Sequence, residues 1–376
     1  MKILVVGGNG YFGSNVAAAL RGLPDTTVYI ASRNPDAAEG EIKLNLNDAT
    51  TFEAMQGYGF VVNCSDALTA RPDKAMAYCL SNGLTFIETT DDAQTMLRLL
   101  QKYRGGADGG TGRAVVTGRL VLGLGIMPGL SNLAAAELVR SKGGAQHVRR
   151  IEVALRLNPL SGAGYGMSAL SAQVVSTLSK RFEGGALISD PPVWFSPLIP
   201  FADGAMPALR TGLPEAVMLH YSTGLPNTAA YLSLGTPLPG LGRALETALF
   251  GVAMTLPRDP FFKPLAQRAL SQAFVGVRTV LFREGKTPFE IVAMADRTDY
   301  FKHDGDSLSL QFSDGIAAGA YAVAAGVGLL AIQPSAPGVH LPDEVLGLDD
   351  VLAQMRTIAG ERLKITVRRI VVGQNA

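Results

Sequence analysis

The chain has 376 residues, of which 33 are basic, 32 acidic and two cysteine. The near-zero net charge excludes an electrostatic case for a polyanionic partner such as nucleic acid. Cys64 and Cys79, without C-x-x-C spacing, exclude a zinc ribbon or a disulfide scaffold and fit a reducing cytoplasm. A chain of this length buries a sizeable core in about two domains.

The first residues, MKILVVGGNGYFG, read as a charge-free strand, Ile3 to Val6, entering a turn with Gly8, Gly10 and Gly13 in G-x-G-x-x-G spacing. SNVAAALRGL, which follows, is a good helix former. Strand, glycine turn and helix in that order predict a dinucleotide-binding unit. Gly8 makes the tight turn, Gly10 admits the pyrophosphate, Gly13 lets the helix pack closely, and the helix N-terminus faces the phosphates. Asn9, Tyr11 and Phe12 lie in the same turn and are expected at the cofactor. This opening lacks the charged segment and cleavage site of a secretory signal, so a cytoplasmic location is expected.

A second strand, TTVYIAS, ends at Ser32, Arg33 and Asn34. An NAD site puts a carboxylate at this strand end for the ribose hydroxyls, whereas a 2′-phosphate calls for a guanidinium and no carboxylate. Asp25 precedes the strand and Asp36 follows it, so Arg33 with Ser32 makes NADP(H) the expected cofactor. EIKLNL, a helix near TTFEAMQ, GFVVNCSD, a helix around PDKAMAYCLSNG and LTFIET continue the alternation of a parallel sheet covered on both faces. Ligands in such sheets lie at the carboxyl ends of strands, which puts Asn63, Cys64, Ser65 and Asp66 at the cofactor cleft.

RGGADGGTGR, at 104–113, reads as a mobile loop. VVTGRLVLGLGIMPGLSNLAAAELV then predicts a hairpin or paired strands, a turn at Met127, Pro128 and Gly129 beside the cofactor, and a helix beginning near Ser131 or Asn132. Beyond 133 the alternation is lost. RRIEVALRL reads as a strand, GYGMSALSAQVVSTLSKRF as a helix, PPVWFSPLIPF as proline-rich loop, and RTVLFR and PFEIVAMAD as further strands. Ile316 to Ile332 carries no charge and sits at the short limit for a membrane span; its Ala and Gly content predicts a buried helix instead.

Three of these segments carry a family resemblance. The chain resembles the saccharopine dehydrogenase superfamily, whose members have an N-terminal GxGxxG, a VxNC turn and a G-x-x-P-G-[LI]-x-N segment after the last Rossmann strand. Here these are Gly8 to Gly13, Val61 to Cys64, and Gly125 to Asn132, and GVHLPDEVLGLDDVLAQM is similar to the family's GVxxPE ending. The matches touch both ends and span most of the chain. The resemblance implies an α/β fold: an N-terminal doubly wound Rossmann domain, 1–132, then a substrate-binding and dimerisation α/β domain with a mixed or antiparallel sheet, 133–312. A C-terminal segment, 313–376, returns a helix to the first domain. The implied molecule is an NADP-dependent oxidoreductase acting on a small molecule as a homodimer formed through residues beyond 133.

The chain also departs from that family. Saccharopine-forming members carry acidic residues in and before the G-x-x-P-G turn, where Leu122, Gly123 and Met127 stand here. A thioether neither orients an ammonium group nor moves its proton. The expected reaction is therefore hydride transfer to or from a C=N, C=O or activated C=C bond of a small, weakly charged substrate other than saccharopine. Candidate proton donors are Tyr165, in SGAGYGMS at a helix start, and His220, where the strand-like run of EAVMLHYSTG meets a polar turn. Trp194, Phe195 and Phe201 read as pocket walls. Tyr-x-x-x-Lys, G-x-S-x-G, H-E-x-x-H and G-x-x-x-x-G-K-[ST] are all missing, which removes short-chain dehydrogenase, hydrolase, zinc protease and P-loop chemistry; no metal site is expected. The competing reading is an NADP-binding sensor that transfers no hydride.

Overall fold

The computed structural model describes residues 1–36, 39–65, 70–104, 116–157, 178–190, 197–234, 289–297 and 305–370, with four single positions between 265 and 272. The chain forms two compact units, Met1–Leu133 with Ile316–Leu363, and Ala134–Gly315 with Lys364–Ala376.

Unit one is built on a seven-stranded sheet in which every neighbouring pair is parallel. Its strands are β1 (Lys2–Val6), β2 (Thr27–Ser32), β3 (Ile42–Lys43), β4 (Phe60–Asn63), β5 (Thr85–Glu88), β6 (Arg119–Leu122) and the late strand Gly338–His340. They lie in the order β3-β2-β1-β4-β5-β6, with Gly338–His340 beyond β6. Helices α1 (Tyr11–Leu20), α2 (Asp73–Ser81), α3 (Ala93–Arg104) and α4 (Ser131–Ser141) connect or follow the strands. From β1 the chain steps outward to β3 and then returns to β4 on the other side of β1, so right-handed crossovers wind helices onto both faces. A sheet covered on both faces selects unbroken apolar strands: Ile3, Leu4, Val5, Val61, Val62, Phe86 and Ile87 are all fully buried. Burial of each such side chain contributes about 1.5–3 kcal/mol.

Two predicted elements of this unit differ in kind. Of EIKLNL only Ile42–Lys43 pairs with β2; Leu44 and Leu46 leave the sheet to enter the core. The helix expected near TTFEAMQ is a 3₁₀ turn, Ala49–Met55, which the Asp48 carboxylate opens by accepting from the Thr50 N–H. Of the hairpin or paired strands expected before Leu122, the described residues form the pairing alternative: β6 lies parallel to β5 and to Gly338–His340, and the N–H groups of Thr117 and Gly118 both donate to Leu80 O and hold the incoming chain on the end of α2.

The helix Gly315–Ile332 meets the length and composition of a membrane span, yet 72 % of that stretch is buried inside the protein. Glycines make this possible. A Cβ on Gly326 would lie 2.8 Å from Leu124 Cδ2, and one on Gly319 3.1 Å from the Phe12 ring. The helix Leu348–Ala359 buries Leu348, Val351, Leu352, Met355 and Ile358 at helical spacing, with Asp349 and Asp350 at its start and Arg356 in its last turn, each charge placed to suit the helix dipole.

Unit two holds a mixed sheet of β7 (Ile151–Leu157), β8 (Ser179–Glu183), β9 (Ala186–Asp190), β12 (Leu209–Arg210), β13 (Thr228–Leu234), β14 (Phe289–Ala295), β15 (Asp306–Phe312) and the terminal strand Ile365–Ile370. β7 runs parallel to β13 and antiparallel to β14, which pairs with β15. A separate hairpin joins β10 (Leu198–Phe201) to β11 (Gly204–Pro207). Its Ile199 and Phe201 pack with Ala154, Tyr231, Val292 and Met294, which places the hairpin over one face of the mixed sheet. Two segments were expected otherwise. SKRF ends a predicted helix but forms β8, and LIPF, expected as loop, forms β10, since its alternate residues Ile199 and Phe201 find an apolar face to enter. The predicted strand RTVLFR, the loop 105–113, and Trp194 and Phe195 lie outside the described residues.

Candidate functional site

The strand order of unit one reverses between β1 and β4, and an open crevice for ligands forms outside the carboxyl ends of such a pair. β1 leaves the sheet through Gly7, whose φ of +74° belongs to the left-handed region that favours glycine. The tight-turn role expected of Gly8 thus falls to Gly7; Gly8 is small because a Cβ there would sit 2.5 Å from Ile30 Cδ1. At Gly13 a Cβ would lie 2.2 Å from Gly7 O, so only glycine lets α1 start this close to the strand. Gly10 is the N-cap of α1 and brings no side-chain oxygen to the helix end. No acidic residue occupies the first turn either, leaving the positive end of the dipole to an outside anion. Tyr11 is exposed, while Phe12 turns its ring to Gly319.

Beside this turn, β4 and β5 end in a buried polar cluster. Asn63 Nδ2 donates to Glu88 Oε2 at 2.9 Å, and Asn63 Oδ1 accepts from Ser65 N at 3.1 Å and Ser65 Oγ at 2.5 Å. Glu88 Oε1 accepts from Thr90 N at 2.9 Å, and Thr89 Oγ1 donates to Asn63 O at 2.7 Å. Asn63 and Glu88 are both essentially inaccessible to solvent. Burial pushes the Glu88 carboxyl up to about 7, against the Asn63 amide and the N–H groups that favour its charged form. Cys64, next after Asn63, is half-buried, and burial pushes its thiol up to about 12, so it stands as a neutral thiol. Asp66 lies outside the described residues. Glu88 has no counterpart among the expected site residues; its position, the last of an apolar strand, is the signal that points to it.

The backbone of Glu88 ties in the third segment, since Glu88 O accepts from both Gly123 N and Leu124 N. From there the chain enters the turn at Met127, Pro128 and Gly129, all buried, with a cis peptide between Met127 and Pro128 and a φ of +125° at Gly129. Gly129 N donates to Asn132 Oδ1 at 3.5 Å, so the Asn132 side chain turns back onto the turn, and α4 starts at Ser131. Ser131 and Asn132 are wholly buried.

On the far side of the glycine turn, Arg33 and Asn34 are exposed after β2. A carboxylate stands there as well. Glu41, immediately before β3, accepts from Asn9 Nδ2 at 2.6 Å through Oε1, and from Ser32 Oγ at 3.2 Å and Asp36 N at 2.9 Å through Oε2. These donors hold its carboxyl below the ordinary value, the Asp36 N–H foremost and then the Asn9 amide. The expectation of a carboxylate-free strand end fails at this point. β3 follows β2 after a short return, and that return delivers a glutamate that strand-end spacing does not find.

The expected proton donors belong to unit two. Tyr165 lies outside the described residues. His220 sits in helix α5 (Glu215–Thr223), not at a strand end, and its ring stacks on Phe182 with centroids 3.5 Å apart. Its Nδ1 is 2.8 Å from Leu225 O, an oxygen that only accepts, so Nδ1 carries the hydrogen and Nε2 is the nitrogen left to exchange a proton.

No protein-family model matches the sequence, and no curated protein matches it. Among solved structures, the chain aligns over 94 % of its length with 98 % of a C. glutamicum DAP dehydrogenase in complex with DAP, at 13 % identity and a TM-score of 0.47. A myo-inositol dehydrogenase from Corynebacterium glutamicum aligns over 95 % of this chain and 94 % of its own, at 10 % identity and a TM-score of 0.38. An aspartate dehydrogenase from Thermotoga maritima aligns over 89 % and 97 %, at 11 % identity and a TM-score of 0.37.

Proposed function

We propose that the protein is a nicotinamide-dinucleotide oxidoreductase of the saccharopine dehydrogenase-like kind. It would use NADP(H) to transfer a hydride to or from a C=N, C=O or activated C=C bond of a small, weakly charged substrate. The observation that carries this reading is the glycine turn and uncapped α1 set at the reversal point of a parallel sheet, beside the buried Asn63–Glu88 pair. The residues present fit such a cofactor. Gly7 makes the turn and Gly13 lets α1 start close behind β1, the α1 dipole favours the charge of a pyrophosphate, and Arg33 with Ser32 supplies donors for a 2′-phosphate. The bound cofactor supplies the hydride.

The chain's own part is positioning and proton handling. Ser65 and Glu88 fix the Asn63 amide in one orientation, and the Met127 turn offers an apolar wall that carries no carboxylate of its own. Tyr165 and His220 are the proton donors of this reading, His220 through Nε2, and Asp66 belongs to the cofactor side. Localisation in the cytoplasm and a homodimer formed through residues beyond 133 complete it; sedimentation at micromolar concentration is expected at twice the 39.5 kDa of one chain, and a monomer mass refutes the dimer.

The deciding measurement is fluorescence titration of the purified protein with NADPH. Saturable binding is expected, and Arg33→Ala should weaken it by at least about tenfold, since a charge-assisted contact is worth roughly 1.5–3 kcal/mol. No binding of either nicotinamide dinucleotide overturns the assignment.

A further inference from the structure

We infer that Glu41 governs which nicotinamide dinucleotide this site accepts, as a carboxylate that receives the hydroxyls of an unphosphorylated ribose and opposes a 2′-phosphate. The inference rests on the dinucleotide reading above and concerns its ribose end. Asn9 lies inside the glycine turn and Ser32 at the end of β2, the two segments that flank the adenosine half of a dinucleotide in this fold. One carboxylate spans both, with Oε1 on Asn9 Nδ2 and Oε2 on Ser32 Oγ.

A third donor, Asp36 N, holds Oε2 from the loop, so the group does not depend on a single contact for its place. Each carboxylate oxygen accepts about two hydrogen bonds, so a ribose entering between Asn9 and Ser32 meets Oε1 with a lone pair to spare beside Asn9, while Oε2 already accepts from Ser32 and Asp36. One of the vicinal hydroxyls of NAD(H) donates to Oε1, and the other reaches Oε2 by taking the place of Ser32 Oγ. A 2′-phosphate brings a second anion to the same oxygens, has no hydrogen to offer at neutral pH, and also competes for Ser32 Oγ. Two anions held at hydrogen-bonding separation repel one another, less so as dissolved salt screens them. The phosphate therefore enters only when Glu41 leaves Ser32, and the exposed Arg33, the next residue along, offers that phosphate its counter-charge. Arg33 and Glu41 pull the selectivity in opposite directions, and the native preference is their difference.

The test is fluorescence titration of the full chain with NADH and with NADPH, in the wild type, Glu41→Gln and Glu41→Ala. Both substitutions remove the charge at a solvent-facing loop, and far-UV circular dichroism verifies that each folds. The expected result is a ratio of NADPH to NADH affinity that rises at least about tenfold in both variants, through tighter NADPH and weaker NADH. A ratio within about twofold of wild type in both variants, with binding intact, overturns the inference and leaves Glu41 as a staple of the 33–41 return. Failure of the wild type to bind either dinucleotide overturns the reading beneath it, and the inference with it.

Discussion

Glu88 shows how one residue at a strand end is set apart from its neighbours. Thr85, Phe86 and Ile87 run through the sheet as packing, and the fourth position of β5 brings a carboxyl into the same enclosure. Its oxygens are occupied by the Asn63 amide and the Thr90 N–H, so removing the side chain would strand two donors. The enclosure has a measurable cost. Moving the carboxyl from its ordinary 4.5 up to about 7 corresponds to about 3 kcal/mol of linked stability. A carboxyl raised in the folded state makes that state the better proton binder, so stability falls as pH rises from 4.5 to about 7 and the deficit persists above it. Glu88→Gln keeps the shape and cannot ionise. Denaturant unfolding between pH 4 and pH 8 should show the wild type losing up to about 3 kcal/mol relative to Glu88→Gln. Parallel stability curves across that range would mean that Glu88 does not titrate there.

At the scale of elements, the parallel sheet was legible wherever local pattern and tertiary demand agree. β1, β4 and β5 are apolar runs bounded by polar turns, and buried parallel strands require that composition. The helix Gly315–Ile332 was legible from its small residues, which admit Phe12 and Leu124 at Gly319 and Gly326. Misreadings arose where the pattern is short or its partner is far along the chain. The run EAVMLH alternates poorly and ends in a polar turn, yet Glu215 in the first turn and Gly224 at φ +71° as C-cap make it a helix. LIPF becomes a strand only because β11 returns to pair with it and the mixed sheet offers an apolar face. The site divides in the same way. Gly10 and Gly13 follow from motif spacing and Asn63 and Ser65 from their place at a strand end, whereas Glu41 and Glu88 reach Asn9 and Asn63 across separations of 32 and 25 residues. No local pattern encodes a contact of that kind.

Across the whole molecule, each unit buries polar groups that are held by partners. Unit one has Asn63 and Glu88 at the ends of β4 and β5. Unit two carries a buried ion pair on its mixed sheet. Glu152 on β7 is fully buried and accepts from Tyr231 Oη at 3.0 Å and from Arg297 Nε at 3.1 Å, while Arg297 Nη1 donates to Leu198 O at 2.8 Å and so ties the sheet to the β10–β11 hairpin. Such a pair adds little stability over apolar residues of equal size, but breaking it takes from the buried Glu152 carboxylate the guanidinium bonded to it, leaving Tyr231 Oη and Arg150 Nη1, the latter 3.6 Å away. Arg297→Met should therefore cost roughly 3–5 kcal/mol in the unfolding transition of unit two, read by calorimetry. Adding Glu152→Met to that variant should restore most of the loss, because the buried carboxylate is removed with its partner. A double variant as unstable as the single one would show that the geometry of the network, not the stranded carboxylate, carries the cost. NADPH affinity is expected to stay within about threefold of wild type in both, since neither substitution touches the glycine turn, Arg33 or Glu41, and sites that share no partners add independently.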